Sequence, residues 1–521
     1  MKNITLLKAK VGILAVSCLS ITALFACVDK DARSDLNPNL PTDQAQNGDF
    51  GDQGGGSEQG PNFPVFDDGV LAFPGAEGYG KNVTGARAGE GREIYHVTNL
   101  NDAGPGSFRD AVSKPRRIIV FDVSGVIKLS SNPIVLKSNQ TILGHTAPGD
   151  GIVLYNGRVS ASGAQNLIVR YLRIRMGAAY PSELDACGIA NGANMIFDHC
   201  SMTWGKDECF SINPDGKGTA PKNITIQNSI IGQGLQNHSC GGLMQTDISN
   251  GCTIFRNLYI DNKTRNPKVK GLNQFVNNVV YNWGSGAAYN MSGDSQGKSE
   301  TTIENNYFIV GPCHNWQNVA QPDGSIKTEY VPMNPARPFT GGNGNFNTYC
   351  KGNYYDNNKD GALDGVEITE TNWSQYCSGS PVFLEARSDL HPIIRSQKSA
   401  QEAYEWVVEK VGAYLPVRDE VDKYLMDELI SLGRKGTIIQ DERKAEQFPL
   451  GGPGTINAAQ KPLDSDNDGM PDAFEDAWGL DKYDSTDAVK EAKNGYLNIE
   501  NYALSLEYPD EYEYELNKNK Q

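Results

Sequence analysis

VRYLRIR at Val169–Arg175, FDHCSMT at Phe197–Thr203, IQNSIIG at Ile226–Gly232, FRNLYID at Phe255–Asp261, VNNVVYN at Val276–Asn282 and IENNYFI at Ile303–Ile309 read as one motif met six times. Their starting positions differ by 28, 29, 29, 21 and 27 residues. Each run begins with an apolar residue, and four carry asparagine two places later, at Asn228, Asn257, Asn278 and Asn305. One β-branched run per repeat, polar turns between and no intervening helix form the pattern of a solenoid. Stacked strands about 4.8 Å apart bring equivalent residues into columns, so asparagines at one corner can bond one another and the backbone. A propeller or a sandwich would need tight hairpin dipeptides between antiparallel strands, and these do not recur. The expected fold is all-β, a right-handed single-stranded parallel β-helix over residues 71–395.

Past residue 380 the period changes from strand to helix. Ser399 and Glu402 form a capping-box signal, followed by Tyr404, Val407, Val408 and Val411 at helical spacing. A second amphipathic run carries Val421, Leu425, Leu429 and Leu432. These two predict a helical extension over 396–450, on the flank or at the end of the solenoid. A Gly/Pro-rich hinge, Gly451–Pro462, leads to a small acidic module over 463–505. There Asp464, Asp466, Asp468, Gly469, Asp472 and Glu475 fall on positions one, three, five, six, nine and twelve of an EF-hand-type calcium loop, with the Met470 carbonyl at position seven.

At the other end, Lys2, Lys8 and Lys10 precede an apolar run from Val11 to Ala26, the pattern of a signal peptide over 1–26. Leu24-Phe25-Ala26-Cys27 resembles the lipobox of bacterial lipoproteins. That resemblance implies a lipidated Cys27 and an outer-membrane lipoprotein at a bacterial cell surface, with a periplasmic or secreted protein as the alternative. Residues 27–70, rich in Asp, Asn, Gly and Gln, then read as a flexible tether that buries too little to order itself. Membrane contact is expected only through the lipid. Eight further cysteines permit disulfides without fixing their pairing, and no CxxC spacing suggests zinc. A net charge of −16 argues against nucleic acid as partner.

Column geometry singles out one flank. Asp207 lies ten residues after Phe197, Arg265 ten after Phe255, and His238 falls on the coil between. Two rungs put Asp207 and Arg265 on the order of 10 Å apart. A solvated charged face is the alternative.

The segment Asp185–Ile212, DACGIANGANMIFDHCSMTWGKDECFSI, resembles the calcium-site segment of pectate lyases of polysaccharide lyase family one. Arg265-Asn-Pro-Lys-Val-Lys270 is similar to that family's R-x-P-R-x-R strand. Phe73–Gly80, FPGAEGYG, and Gly104–Ala111, GPGSFRDA, resemble the N-terminal cap of its bacterial members. The resemblance implies calcium held by Asp185 and Asp207, with Glu208 substituting for a third acid whose position is occupied by Ser211. It implies Arg265 as the catalytic residue, with a pKa lowered by calcium and by Lys263, Lys268 and Lys270, or else as a stabiliser of charge while hydroxide takes the proton. Lys270, Lys268 and His238 are the implied substrate-binding residues, and Asp198-His199 a structural pair. The implied activity is calcium-dependent β-eliminative cleavage of pectate (α-1,4-polygalacturonate, homogalacturonan), giving 4,5-unsaturated oligogalacturonides. A non-catalytic pectin-binding β-helix is the alternative. A polygalacturonase would need paired carboxylates acting on water, and its Asn-Thr-Asp and Gly-His-Gly motifs are absent.

Overall fold

Each repeat makes three short strands. Ala193–Asp198, Ser201–Thr203 and Phe210–Ile212 form one coil, and Lys222–Gln227 opens the next directly above Ala193–Asp198. In a computed structural model, which describes residues 69–284, 287–291, 298–335 and 337–519, these strands stack into three sheets of eleven, ten and eight strands. Pairing along the stack is parallel except where Val366–Ile368 closes the ten-stranded sheet antiparallel to Asn353–Asp356, which makes a right-handed parallel β-helix.

The interior column of the first sheet is Val169, Phe197, Ile226, Ile254, Phe275, Ile303 and Cys350, in direct register. Two of the six runs are therefore shifted by one residue from the expected alignment. Ile226 pairs with Ile254, not Phe255, and Ile303 with Phe275, not Val276. Phe255 and Val276 face outward and pack with Ile394. A strand apolar on both faces offers no alternation to fix its register.

The expected asparagine column also divides. Asn257 donates to Asn278 (3.1 Å), Asn278 to Asn306 (3.2 Å) and Asn306 to Asn353 (2.8 Å), a buried ladder at the corner between first and second sheets. Asn228 and Asn305 lie one place earlier, in the left-handed conformation with φ of 56° and 52°. Asparagine tolerates that region better than most L-residues, which suits it to both places at this corner.

The segment around Phe73–Gly80 crosses the outer face of the first sheet, where Glu77 N–H donates to Gln227 Oε1 and Gly80 N–H to Thr225 Oγ1. The approach is so close that a Cβ on Gly78 would lie 2.4 Å from Thr253 Oγ1. Of the helices with seven or more residues among those described, α1 (Ala400–Lys410) and α2 (Glu420–Ile430) cover the second sheet, Val407 and Leu425 meeting Ile260 and Tyr281. The Ser399–Glu402 capping box is formed. Helices α3 (Asp472–Trp478), α4 (Asn498–Glu507) and α5 (Pro509–Asn519) follow, and Ile499 and Tyr502 pack on Ile118 and Val120 of the first sheet. The extensions thus lie on the flanks. Among the described residues all eight cysteines are buried and free, and no helix is long and apolar enough to cross a membrane. The signal peptide expected over 1–26, the lipidated Cys27 and most of the expected tether lie outside the described residues.

Candidate active site

The turn leading from the second sheet into the third carries the residues singled out above. Asp185 precedes the strand Cys187–Ile189, and Asp207 and Glu208 precede Phe210–Ile212. On the next coils His238 precedes Leu243–Gln245 and Arg265 precedes Lys268–Lys270. Parallel bridges Glu208↔Cys240 and Cys240↔Thr264 hold three of these turns in register. Two neighbouring coils thus present Asp185, Asp207 and Glu208 with carboxylate oxygens within 4.8 Å of one another.

Glu208, not Asp207, is the ion-pair partner of Arg265, whose guanidinium reaches back over the intervening coil. Glu208 is almost wholly buried, and burial together with Asp185 and Asp207 pushes its carboxyl up to about 9. Burial also raises the Asp185 pKa. Such crowding is costly unless a cation joins it, and an all-oxygen set of this kind suits a hard cation that takes about six to eight oxygens. The Ser211 hydroxyl accepts from Leu243 N–H within the third sheet (3.2 Å).

His238 Nε2 lies 2.9 Å from Asp207 Oδ1; that carboxylate pushes the imidazole up to about 10, and the hydrogen bond from His238 lowers the Asp207 pKa. His238 therefore braces an acid of the cluster. Among the protein's own groups, burial pulls the Arg265 pKa down, while Cys240, Glu208 and Asp207 outweigh burial and raise it; the expected lowering rests in part on calcium, whose charge would offset those carboxylates. Lys268 and Lys270 lie half-buried on the outer side of their strand, with Val269 turned inward. Lys270 lines a cavity of about 440 Å³ with Gln245, Asp247 and Lys298.

Two features escaped the sequence reading. Arg158, one coil before Asp185, comes close enough to offset part of that carboxyl's raised pKa. The hairpin His314–Ala320/Ile326–Pro332 interrupts the repeat and stands beside the His238 turn, where Gln236 Nε2 donates to Asn315 Oδ1 (2.6 Å). Its signal was the 47-residue step from Ile303 to Cys350, which among the described residues no strand of the first sheet fills. Asp198 and His199 sit at a different corner. Asp198 accepts from Arg170 and Gln227, and His199 stacks on Tyr171 at 4.8 Å, which fits a structural pair.

The acidic loop draws in most, but not all, of its expected members. Asp464, Asp466 and Asp468 have oxygens within 4.8 Å of one another, and so do Asp468, Glu475 and Asp487. Asp472 turns away, accepting from Ser465 N–H (2.7 Å) and Ser465 O–H (2.8 Å). Met470 buries its side chain against the β-helix.

A family model described as pectate lyase matches residues 74–355. A probable pectate lyase C of Aspergillus fumigatus is 48% identical over 437 residues, 84% of this chain and 94% of that one. A protein of the same name from Aspergillus flavus is 47% identical over 443 residues, 85% and 95% of the two chains. Among solved structures, the thermostable pectate lyase PL 47 aligns with 66% of this chain and 97% of its own at 14% identity, with a TM-score of 0.44. The sequence relatives are fungal, and fungi have no bacterial outer membrane, so the expected bacterial outer-membrane lipoprotein is overturned.

Proposed function

The chain belongs to the pectate lyase family, and on that premise we propose that the turn carrying Asp185, Asp207, Glu208, His238 and Arg265 is its active site. The protein is a polysaccharide lyase that cleaves α-1,4-polygalacturonate by β-elimination. Asp185, Asp207 and Glu208 would hold calcium, for which the crowded carboxylates are a fitting donor set. Calcium held there would supply positive charge to offset a uronate carboxylate and so acidify the neighbouring C5 proton.

Arg265 sets its planar fork against the uronate and stabilises the charge that grows as the C5–H bond breaks. The ordinary pKa of arginine keeps it protonated, which supports this role over that of base, with hydroxide accepting the proton. The C4–C5 double bond then forms, the C4–O bond breaks, and the leaving sugar takes a proton from solvent. His238 fixes the orientation of Asp207 through its ring N–H. Lys268 and Lys270 bind uronates further along the chain, supplying local positive charge on a protein whose net charge is −16.

The observation that carries this reading is the cluster of three carboxylates beside Arg265. Its test is absorbance of unsaturated uronide released from polygalacturonate. Activity is expected to vanish on chelation and return with added calcium, and full activity after exhaustive chelation would overturn the calcium assignment.

Two further readings rest on sequence pattern and local geometry. Residues 1–26 are an export leader that directs secretion. The loop 464–475 is a second calcium site, structural in role.

A further inference from the structure

We propose that Asp487, from outside the loop, takes the place expected of Asp472 as a ligand of one calcium ion held with Asp464, Asp466, Asp468 and Glu475, and that this ion fastens the C-terminal module to the β-helix. The inference deepens the reading of 464–475 as a calcium site and rests on it.

Glu475 is fully buried, and among the described residues neither of its carboxylate oxygens has a hydrogen-bond partner. It stands at position twelve, where an EF-hand-type loop places its bidentate glutamate. Asp468 and Asp487 are 3% and 4% exposed, and each leaves one oxygen, Oδ2 and Oδ1, without a partner. Unpartnered buried carboxylate oxygens are costly, so their convergence calls for a cation. The other Asp487 oxygen accepts from Asp481 N–H (3.1 Å), which aims Oδ1 at the cluster. Asp472 lies outside the cluster of converging oxygens, and Ser465 donates to each of its two oxygens.

The same residues tie the site to the rest of the molecule. Lys461 spans Asp464 (3.6 Å) and Asp122 at the end of an early strand of the first sheet (3.1 Å). Gly469, with φ of 94°, packs so near Ile499, Val120 and Ile94 that a Cβ there would touch all three. The Asp487 carbonyl accepts from Asn498 Nδ2 at the start of α4 (2.9 Å). An ion here therefore links the loop, α3 and the segment that leads into α4, all packed on the first coils.

The test is calorimetric titration with calcium chloride, with thermal unfolding in calcium and in chelator, all on the full-length protein. Asp185→Asn/Asp207→Asn serves as the background that removes the active-site ion. In that background one calcium is expected to bind and to raise the melting temperature. Asp487→Asn is expected to weaken it at least tenfold and to abolish the melting shift, while Asp472→Asn leaves its affinity unchanged. Near-ultraviolet circular dichroism in saturating calcium checks that each variant is folded. If Glu475→Gln abolishes binding but Asp487→Asn does not, the loop site stands and the role of Asp487 falls. If the background binds no calcium, the loop reading itself falls.

Discussion

Arg265 and Glu208 are ion-paired across two rungs of the β-helix, over a coil that carries His238 and Cys240. The pair joins the one arginine at the head of the Lys268–Lys270 strand to the most buried acid of the carboxylate cluster. It positions the guanidinium beside the proposed calcium ligands.

Arg265→Lys keeps the charge but loses the planar fork that addresses two oxygens together. Retention on a pectate gel is expected to persist, while the initial rate of unsaturated product falls by at least about two orders of magnitude, ~3 kcal/mol of transition-state stabilisation. Asp207→Ala is expected to weaken both calcium binding and catalysis. Parent-like rates for Arg265→Lys would remove Arg265 from the chemistry.

Asn278 accepts from Asn257 N–H (2.9 Å) and donates to Ile254 carbonyl (2.9 Å) in the buried ladder. Asn278→Ala strands both groups without solvent. A loss of about 2–4 kcal/mol in unfolding free energy is expected, measured by denaturant titration. A change within a few tenths would mean the ladder adds nothing.

Burial lowers the pKa of His145 to about 3 and that of His199 to about 4. The unfolded chain, with histidines near 6.5, binds more protons in between, so stability is intact above pH 6.5 and is lost as pH falls towards 4, by on the order of 3 kcal/mol per residue. Asp261, pushed up to about 6 by burial, works in the opposite sense. The histidine part is therefore read as a difference: melting temperature should fall less between pH 7 and 4.5 in His199→Gln than in the parent. Equal slopes would contradict the buried neutral imidazole.

All eight cysteines of the described residues are buried thiols. Reductant should leave the melting temperature unchanged, and thiol reagent should label these eight only after unfolding. Fewer labelled cysteines in the unfolded, unreduced protein would reveal a disulfide.

The solenoid was legible in the sequence because its repeat obliges each coil to present like residues at like offsets. Val169, Phe197 and Ile226 align as read. The same periodicity gathered Asp207, His238 and Arg265 on one flank, and the capping box of α1 was legible because it depends only on residues three apart. What the sequence left open was whatever long-range packing decides. Ile254 and Phe255 are both apolar, as are Phe275 and Val276, and Ile394 covers the second of each pair on the outer face. Nothing in the spacing revealed that Arg265 reaches Glu208 past Asp207, because side-chain reach across rungs depends on how each turn bends. Asp487 lay outside the loop motif, and it joins Glu475 only once α4 and the intervening chain fold back against the first sheet. Local pattern determined the coils and their columns; packing between distant segments decided which atoms meet.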